Sequence, residues 1–242
     1  NRYGQSESAF GKWMMNTLGA TPKYISTANP KIRAQVASNT LRNYGYFRGE
    51  VKYRIDNKKN PRKKKISYQV LPGTLFHLDQ IEYRYFTPRI DSLIHTNMSE
   101  TLLKTSAPFS TTTLSDERER LATILRNQGH YYFRSNHIAY QADTFQREAH
   151  VQLQVVPSPT ISQAAKQPFY IGNTRITILK YNTREATDSI KFRNITMKWS
   201  GGNNQKPSLR LSSFYRFLYQ KKGDCYNQDI HNLMQNKLSA MG

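Results

Sequence analysis

Hydrophobic positions change period at the same point in two similar stretches of the chain. Ahead of Gly45, Ala37 and Leu41 fall on one helical stripe. Behind it, Val51, Tyr53 and Ile55 alternate with Glu50, Lys52 and Arg54, and then Ile66, Tyr68 and Val70 alternate with Ser67 and Gln69. A 3.6-residue period giving way to a period of two predicts a helix followed by a hairpin. The second stretch repeats this around Gly129. Leu121 and Leu125 form the stripe, Ile138, Tyr140 and Ala142 the first strand, and Val151, Leu153 and Val155 the second, with a turn at residues 143–147. The repetition extends to residue identity, since Leu41-Arg42-Asn43-Tyr44-Gly45-Tyr46-Phe47 recurs as Leu125-Arg126-Asn127-Gln128-Gly129-His130-Tyr131. A shorter echo, with Met234 and Leu238 ahead of Gly242, closes the chain.

Each predicted helix has its own start signal. Asn29 precedes Pro30, Ser115 precedes Asp116 and Glu117, and Asn227 stands ahead of the third stripe; such residues cap helix N-termini, and acidic side chains suit the positive end of the macrodipole. Each glycine falls where a helix takes a left-handed C-terminal residue. A further strand is expected before the helices, because Phe76, Leu78, Ile81, Tyr83 and Tyr85 match Phe169, Ile171, Thr174, Ile176 and Ile178 in constant register. The unit is then strand, helical region, helix, glycine, strand, turn, strand. Its expected fold class is α+β, a three-stranded mixed sheet covered on one face by two helices. The first copy, residues 1–72, lacks its leading strand and begins near an amphipathic stretch with Phe10, Trp13, Met14 and Leu18. Residues 73–157 form a complete copy, residues 158–167 a polar linker, and residues 168–242 a copy that carries an insertion and lacks its closing hairpin.

Composition narrows the possibilities. The chain has 242 residues, 37% of them hydrophobic, and a net charge of +20, so it can bury cores and is not compositionally disordered. A single cysteine, Cys225, excludes an internal disulfide framework, and no cysteine or histidine spacing suits zinc. No stretch reaches the roughly 20 apolar residues of a spanning helix. An opening at Asn1 and a close at Gly242 directly after a helical pattern are expected of a piece of a longer protein.

The element order, with Asn43-Tyr44-Gly45-Tyr46-Phe47 between helix and hairpin, resembles the polypeptide-transport-associated (POTRA) repeat of the BamA/TamA superfamily of outer-membrane assembly proteins. Matching pieces are Leu41 to Phe47, Pro108-Phe109 with Leu121 to Tyr131, Phe169 to Asn173, and Lys222 to Tyr226 leading to Leu238 to Gly242. Trp13 and Leu18-Gly19-Ala20-Thr21-Pro22 are similar to the lipoprotein branch called TamL. His130 stands where the family usually has tyrosine, and the third copy is interrupted at residues 181–209. The resemblance implies a periplasmic region tied to the outer membrane ahead of a membrane β-barrel. It would bind unfolded outer-membrane or exported proteins, and a TamB-like partner, by strand addition, in which a free sheet edge pairs with an extended segment. By the resemblance the free edge is the first hairpin strand, which maps to Glu50, Val51, Lys52, Tyr53 and Arg54 and to His137, Ile138, Ala139 and Tyr140.

Catalytic chemistry is not legible. His77, His95, His130, His137, His150 and His231 occur singly, without HxH or HExxH spacing, Asp79 and Glu82 straddle a strand, and Asp116, Glu117 and Glu119 read as first-turn acids. Gly201-Gly202 lacks the strand and the Lys-Ser/Thr of a phosphate loop. Neither an enzyme nor a cofactor or metal is expected. The strongest local charge is a hairpin tip with Lys58, Lys59, Arg62, Lys63, Lys64 and Lys65. It reads as a solvated turn, as a contact for an anionic membrane surface, or as a contact for an acidic partner. A basic nucleic-acid-binding module using Arg62 to Lys65, Lys191, Arg193 and Arg210 is the alternative from another class. The strand tyrosines share a face with Val and Ile, which argues against base stacking.

Overall fold

The computed structural model describes residues 25–60, 63–179, 185–192, 195–200 and 214–240. Two compact units divide between Phe76 and His77. In the first, a short helix α1 (Ile25–Ala28) precedes α2 (Pro30–Asn43); Pro30 opens the helix as expected, but Asn29 stands at the cap position in a left-handed backbone, φ 41, without the expected capping side-chain hydrogen bond. Strands β1 (Glu50–Asn57) and β2 (Lys64–Leu71) pair antiparallel, with Val51 opposite Val70, Tyr53 opposite Tyr68 and Ile55 opposite Ile66. This register puts the alternating apolar residues on one face. Ala34 of α2 and Val51 of β1 are buried, and the Val51 N–H donates to Ser38 Oγ at 2.8 Å. The predicted amphipathic stretch at Phe10 to Leu18 lies outside the described residues.

The second unit holds the complete repeat. Strand β3 (His77–Tyr83) leads to α3 (Pro88–Thr96) and α4 (Thr111–Asn127), followed by β4 (Ile138–Asp143) and β5 (His150–Pro157). The sheet order is β3-β5-β4, parallel between β3 and β5 and antiparallel between β5 and β4. A bulge between Leu78 and Ile81 explains why those two apolar residues stand three apart instead of two. The core closes between sheet and helices: Leu78, Ile90, Ile94, Leu121, Leu125, Phe133, Ile138, Val151, Leu153 and Val155 are all at most 2% exposed. This is the expected three-stranded mixed sheet with two helices.

Two local expectations are corrected here. Helix α4 starts at Thr111, not after Ser115, because the Ser110 side chain accepts the Thr113 N–H. Glu117 is therefore no first-turn acid. It falls on the apolar stripe with Leu114, Leu121 and Leu125 and is fully buried. Its carboxylate accepts from Arg120 Nη2 at 2.6 Å and Nε at 2.8 Å, from the Leu102 N–H at 3.0 Å, and from the hydroxyls of Thr101 and Tyr83 at 3.1 Å. Burial alone would raise the carboxyl pKa, but the donors led by Arg120 outweigh it and hold the group below its ordinary value. Burial, opposed by the Thr101 hydrogen bond, pushes the Tyr83 phenol up to about 12.

The third repeat reuses the scheme in a different chain order. Strand β6 (Thr174–Ile178) is followed by β7 (Asp188–Phe192) and β8 (Ile195–Trp199), and only then by α5 (Gln228–Ser239). The order β6-β8-β7, with β6 parallel to β8 and β8 antiparallel to β7, copies β3-β5-β4. The segment read as an interruption thus supplies a hairpin, and it takes the sheet position that the closing hairpin takes in the second repeat. Ile195 and Met197 of β8 are buried. Asn227 caps α5 through its side chain, which accepts the Ile230 N–H at 3.0 Å, just as Ser110 caps α4. Strand β6 begins at Thr174, so Phe169 and Ile171 lie ahead of it, and Tyr85 lies beyond the end of β3.

The Glu117–Arg120 pair yields a measurable expectation. Replacing Glu117 by Ala leaves a guanidinium without its carboxylate in the core and should destabilise the unit by about 3–5 kcal/mol. Replacing both, as Glu117→Leu with Arg120→Met, should recover most of that loss. Urea unfolding of the two single variants and the double variant checks it.

Candidate strand-addition edges and the glycine turn

The two hairpins present their first strands differently. In the ladder of β4 and β5 the Ser158 N–H donates to the His137 carbonyl at 2.7 Å. Antiparallel alternation then turns the backbone groups of Ile138, Tyr140 and Ala142 away from β5, toward the outer edge of the sheet. Ala139 points its groups inward, and His137 lies in the 3-10 turn Ser135–His137, where its ring nitrogen Nδ1 accepts from the Arg134 N–H. Of the four positions expected on this edge, Tyr140 offers both outward groups, Ile138 only its carbonyl because its N–H donates to the Ser135 carbonyl, and the other two offer none. The Tyr140 side chain is anchored: its hydroxyl donates to the Leu114 carbonyl at 2.8 Å, and the Arg118 guanidinium sits 4.7 Å above its ring.

In β1 the Lys58 N–H bonds the Lys63 carbonyl at 3.2 Å, so Val51, Tyr53 and Ile55 carry the outward groups, and Glu50, Lys52 and Arg54 face β2. The Val51 N–H is already held by Ser38, leaving Tyr53 and Ile55 as the donors. The hairpin tip is shaped by backbone bonds, Lys58 to Lys63 and the Lys63 N–H to the Asn60 carbonyl, while Lys64 Nζ donates to Asn57 Oδ1 at 2.6 Å. Lys58, Lys59, Lys63, Lys64 and Lys65 are exposed there; Arg62 lies outside the described residues, as do Arg193 and Arg210 of the nucleic-acid alternative and Gly201-Gly202.

Between the second and third repeats the chain is held by one turn that sequence reading found but did not value. Gly129, at φ 101, follows α4; its N–H bonds the Arg126 carbonyl, and the His130 N–H bonds the Leu125 carbonyl, the two bonds of a Schellman motif. The first unit has the same pair at Gly45, from Gly45 to Arg42 and from Tyr46 to Leu41. Each glycine carbonyl is then recruited from downstream, Gly45 by the Phe76 N–H at 3.0 Å and Gly129 by the Phe169 N–H at 2.8 Å. At Gly129 the approach is close. A Cβ there would lie 2.6 Å from Cys225 Sγ and 3.0 Å from Pro168 Cβ, so the thiol packs against the glycine, in keeping with a structural cysteine.

Side chains reinforce the turn. Asn127 Nδ2 donates to Asp229 at 2.6 Å, its Oδ1 accepts the Asp229 N–H, and Asn227 Nδ2 donates to the Asn127 carbonyl at 3.1 Å. Tyr132 meets Phe169 edge to face at 5.1 Å. His130 is fully buried, with Nδ1 3.1 Å from the Ala165 carbonyl and Nε2 without a hydrogen-bond partner. Burial lowers its pKa, the Ala165 contact opposes that, and the Arg89 charge adds to the lowering. Among the other histidines, His95 does have an acidic neighbour, Asp91, at 3.4 Å one helical turn away. Among the described residues no three metal-binding side chains gather, and no helix is long and apolar enough to cross a membrane.

No protein-family model and no curated protein matches the sequence. Among solved structures, the chain is similar to the crystal structure of POTRA3-5 of BamA from Haemophilus influenzae, at 12% identity and a TM-score of 0.44, covering 100% of this chain and 83% of that one. It is also similar to BamA from Haemophilus ducreyi lacking POTRA domains 1-3, at 16% identity and a TM-score of 0.36, covering 59% and 26%, and to the N-terminal domain of Omp85 from Thermosynechococcus elongatus, at 12% identity and 0.28, covering 98% and 82%. At such distances the strand orders and registers above define the fold of this chain.

Two outcomes are expected of the turn. Because the folded His130 has a depressed pKa, the unfolded chain binds its proton first as pH falls below about 6.5. Stability should be full above that pH and decline on acidification until the folded imidazole also titrates. Thermal melts between neutral and mildly acidic pH should show a shallower decline for His130→Gln. Gly129→Ala should cost at least about 1–2 kcal/mol from backbone strain alone, plus a clash that Cys225→Ala relieves, so a double-mutant cycle should give a favourable coupling of about 0.5 kcal/mol or more.

Proposed function

We propose that this chain is part of the periplasmic region of an outer-membrane protein assembly or translocation factor, and that it holds extended segments of client or partner chains by strand addition. The observation that carries the reading is the strand–helix–helix–strand–strand order of the second repeat, with its first hairpin strand on the outside of the sheet. The backbone groups of Tyr140 and Ala142 and the carbonyl of Ile138 there can pair with any extended segment, whatever its side chains. Tyr53 and Ile55 offer a second such edge in the first unit. Attachment to the outer membrane, a following β-barrel, a TamB-like partner and kinship with the TamL branch belong to the same proposal and rest on the sequence motifs.

The lysine-rich tip of the β1–β2 hairpin fits this setting as a contact for an anionic surface. Its shape comes from backbone hydrogen bonds, so its charges are not needed for the fold. Each cation near an anionic bilayer gains at most about 1 kcal/mol, less at physiological salt.

Ala142→Pro removes an outward N–H from an exposed position and no ladder bond. It should weaken binding of an unfolded outer-membrane protein segment at least about tenfold while circular dichroism stays that of the parent; Ala139→Pro, which removes an inward N–H, should instead destabilise the sheet. Unchanged affinity in a folded Ala142→Pro chain would remove this edge from the mechanism. Replacing Lys58, Lys59 and Lys63 by Gln should leave stability within about 1 kcal/mol and sharply reduce sedimentation with anionic vesicles at low salt. Retention of that binding would reduce the tip to a solubilising turn.

A further inference from the structure

Beside the glycine turn, where the end of α4 meets the start of α5, lies a pocket of about 330 Å³ lined by Arg126, Tyr131, Arg134, Tyr226, Gln228 and His231. No carboxylate lines it; donors of Arg126, Arg134, Tyr131, Tyr226 and Gln228 predominate, beside one buried acceptor without a partner, Gln228 Oε1. The nearby acid, Asp229, is engaged by Asn127. Arg134 is held in place by its own turn, with Nη1 donating to the carbonyls of Tyr131 and Phe133 at 3.0 Å, which leaves its other guanidinium nitrogens without an acceptor. Arg126 donates from Nη2 to Thr123 Oγ1 at 3.2 Å, and its buried Nε has no partner. Arg134 is exposed, but its anchored Nη1 fixes the group, and a guanidinium held in this way without a carboxylate is a positioned anion donor. Tyr131 and Tyr226 meet edge to face at 4.9 Å and form a rigid side of the pocket. Burial raises the Tyr226 phenol above its ordinary range, so it remains a donor at neutral pH.

We infer that this pocket binds a carboxylate carried by an extended polypeptide, either an Asp or Glu side chain or a chain terminus, on the Arg126 and Arg134 guanidiniums. The planar fork of arginine matches a carboxylate edge to edge. The recessed position between two repeats admits a side chain or chain end more readily than a phosphate fixed in a bilayer plane. The inference rests on the reading that the chain binds polypeptides, and it adds a chemical preference that strand addition by itself lacks. Two repeats contribute the wall, so the pocket exists only while the glycine turn holds them together.

The test uses the whole 242-residue chain and calorimetric titration with four probes: acetyl-Ala-Ala-Asp-Ala-Ala amide, the same peptide with Asn, acetyl-trialanine with a free C-terminal carboxylate, and inorganic phosphate. The Asp peptide or the free-carboxylate peptide should bind at least about tenfold more tightly than the Asn peptide, and the two carboxylate probes separate a side chain from a terminus. Arg126→Gln with Arg134→Gln should abolish the preference, and the milder Arg134→Gln alone should reduce it if the double variant is poorly folded. Because the chain is strongly basic, Lys31→Gln with Lys104→Gln removes the same charge from exposed positions elsewhere and should leave the preference intact. Equal loss in both charge-matched variants, tighter binding of phosphate than of either carboxylate, or equal binding of the Asp and Asn peptides would overturn the inference. Equal binding that disappears in Ala142→Pro would do so while leaving strand addition standing; no binding of any peptide, with an unfolded outer-membrane segment also failing to bind, would remove both.

Discussion

A carbonyl at the end of a helix joins the second repeat to the third. When Gly129 turns into the left-handed region, the two bonds of its Schellman motif satisfy the last carbonyls of α4, and its own carbonyl faces the next repeat. The Tyr131 and Phe169 N–H groups share it, and the Phe169 bond fixes where the linker arrives. Everything nearby depends on this arrival: Cys225 can lie against the glycine only because no Cβ intervenes, and Asn127 can bond the start of α5 on both its amide groups. A larger residue at Gly129 would strain the turn and displace the neighbouring thiol together.

The interior of the second repeat obeys a second constraint. Glu117 places a charge on an apolar stripe, and the structure accommodates it by surrounding the carboxylate with five donors from three parts of the chain: Arg120, Leu102 with Thr101, and Tyr83. Arg120 also donates to the Asn97 carbonyl at 3.1 Å, tying the end of α3 to α4. Hydrophobic packing alone is tolerant of sliding between helices, whereas this network permits one register.

Sequence periodicity reached the elements but not all of their ends. The alternation of Val51, Tyr53 and Ile55 with charged residues, and of Ile138, Tyr140 and Ala142 with theirs, gave both hairpins because the pleat sends successive side chains to opposite faces, although the apolar face is buried in the second hairpin and, apart from Val51, largely exposed in the first. Ser115 looked like a helix start because acids follow it, yet Ser110 wins the role, since the first turn also needs Leu114 on the stripe. The signal for Glu117 was present: an acid three residues after Leu114 and four before Leu121 falls on the apolar stripe, where it is not tolerated without a cation nearby, and Arg120 stands three residues on. Which backbone groups of an edge face outward could not be read from side-chain pattern, because His137 leaves the ladder in a 3-10 turn and Ser38 occupies the Val51 N–H. The pocket at the turn was equally hidden, its residues being drawn from Arg126 to His231.

The hairpin of the third repeat has a consequence for how the chain acquires its structure. In the second repeat the leading strand β3 must wait for β5, which emerges only after two helices, so its parallel pairing closes a long loop. In the third, β6 meets β8 within the span from Thr174 to Trp199, before α5 exists in the chain. Lower sequence separation lowers the entropy cost of closure and speeds pairing. A ribosome making this protein would therefore release a third-repeat sheet able to form as soon as it emerges, onto which the helix is added afterwards, whereas the second repeat forms as a unit or not at all.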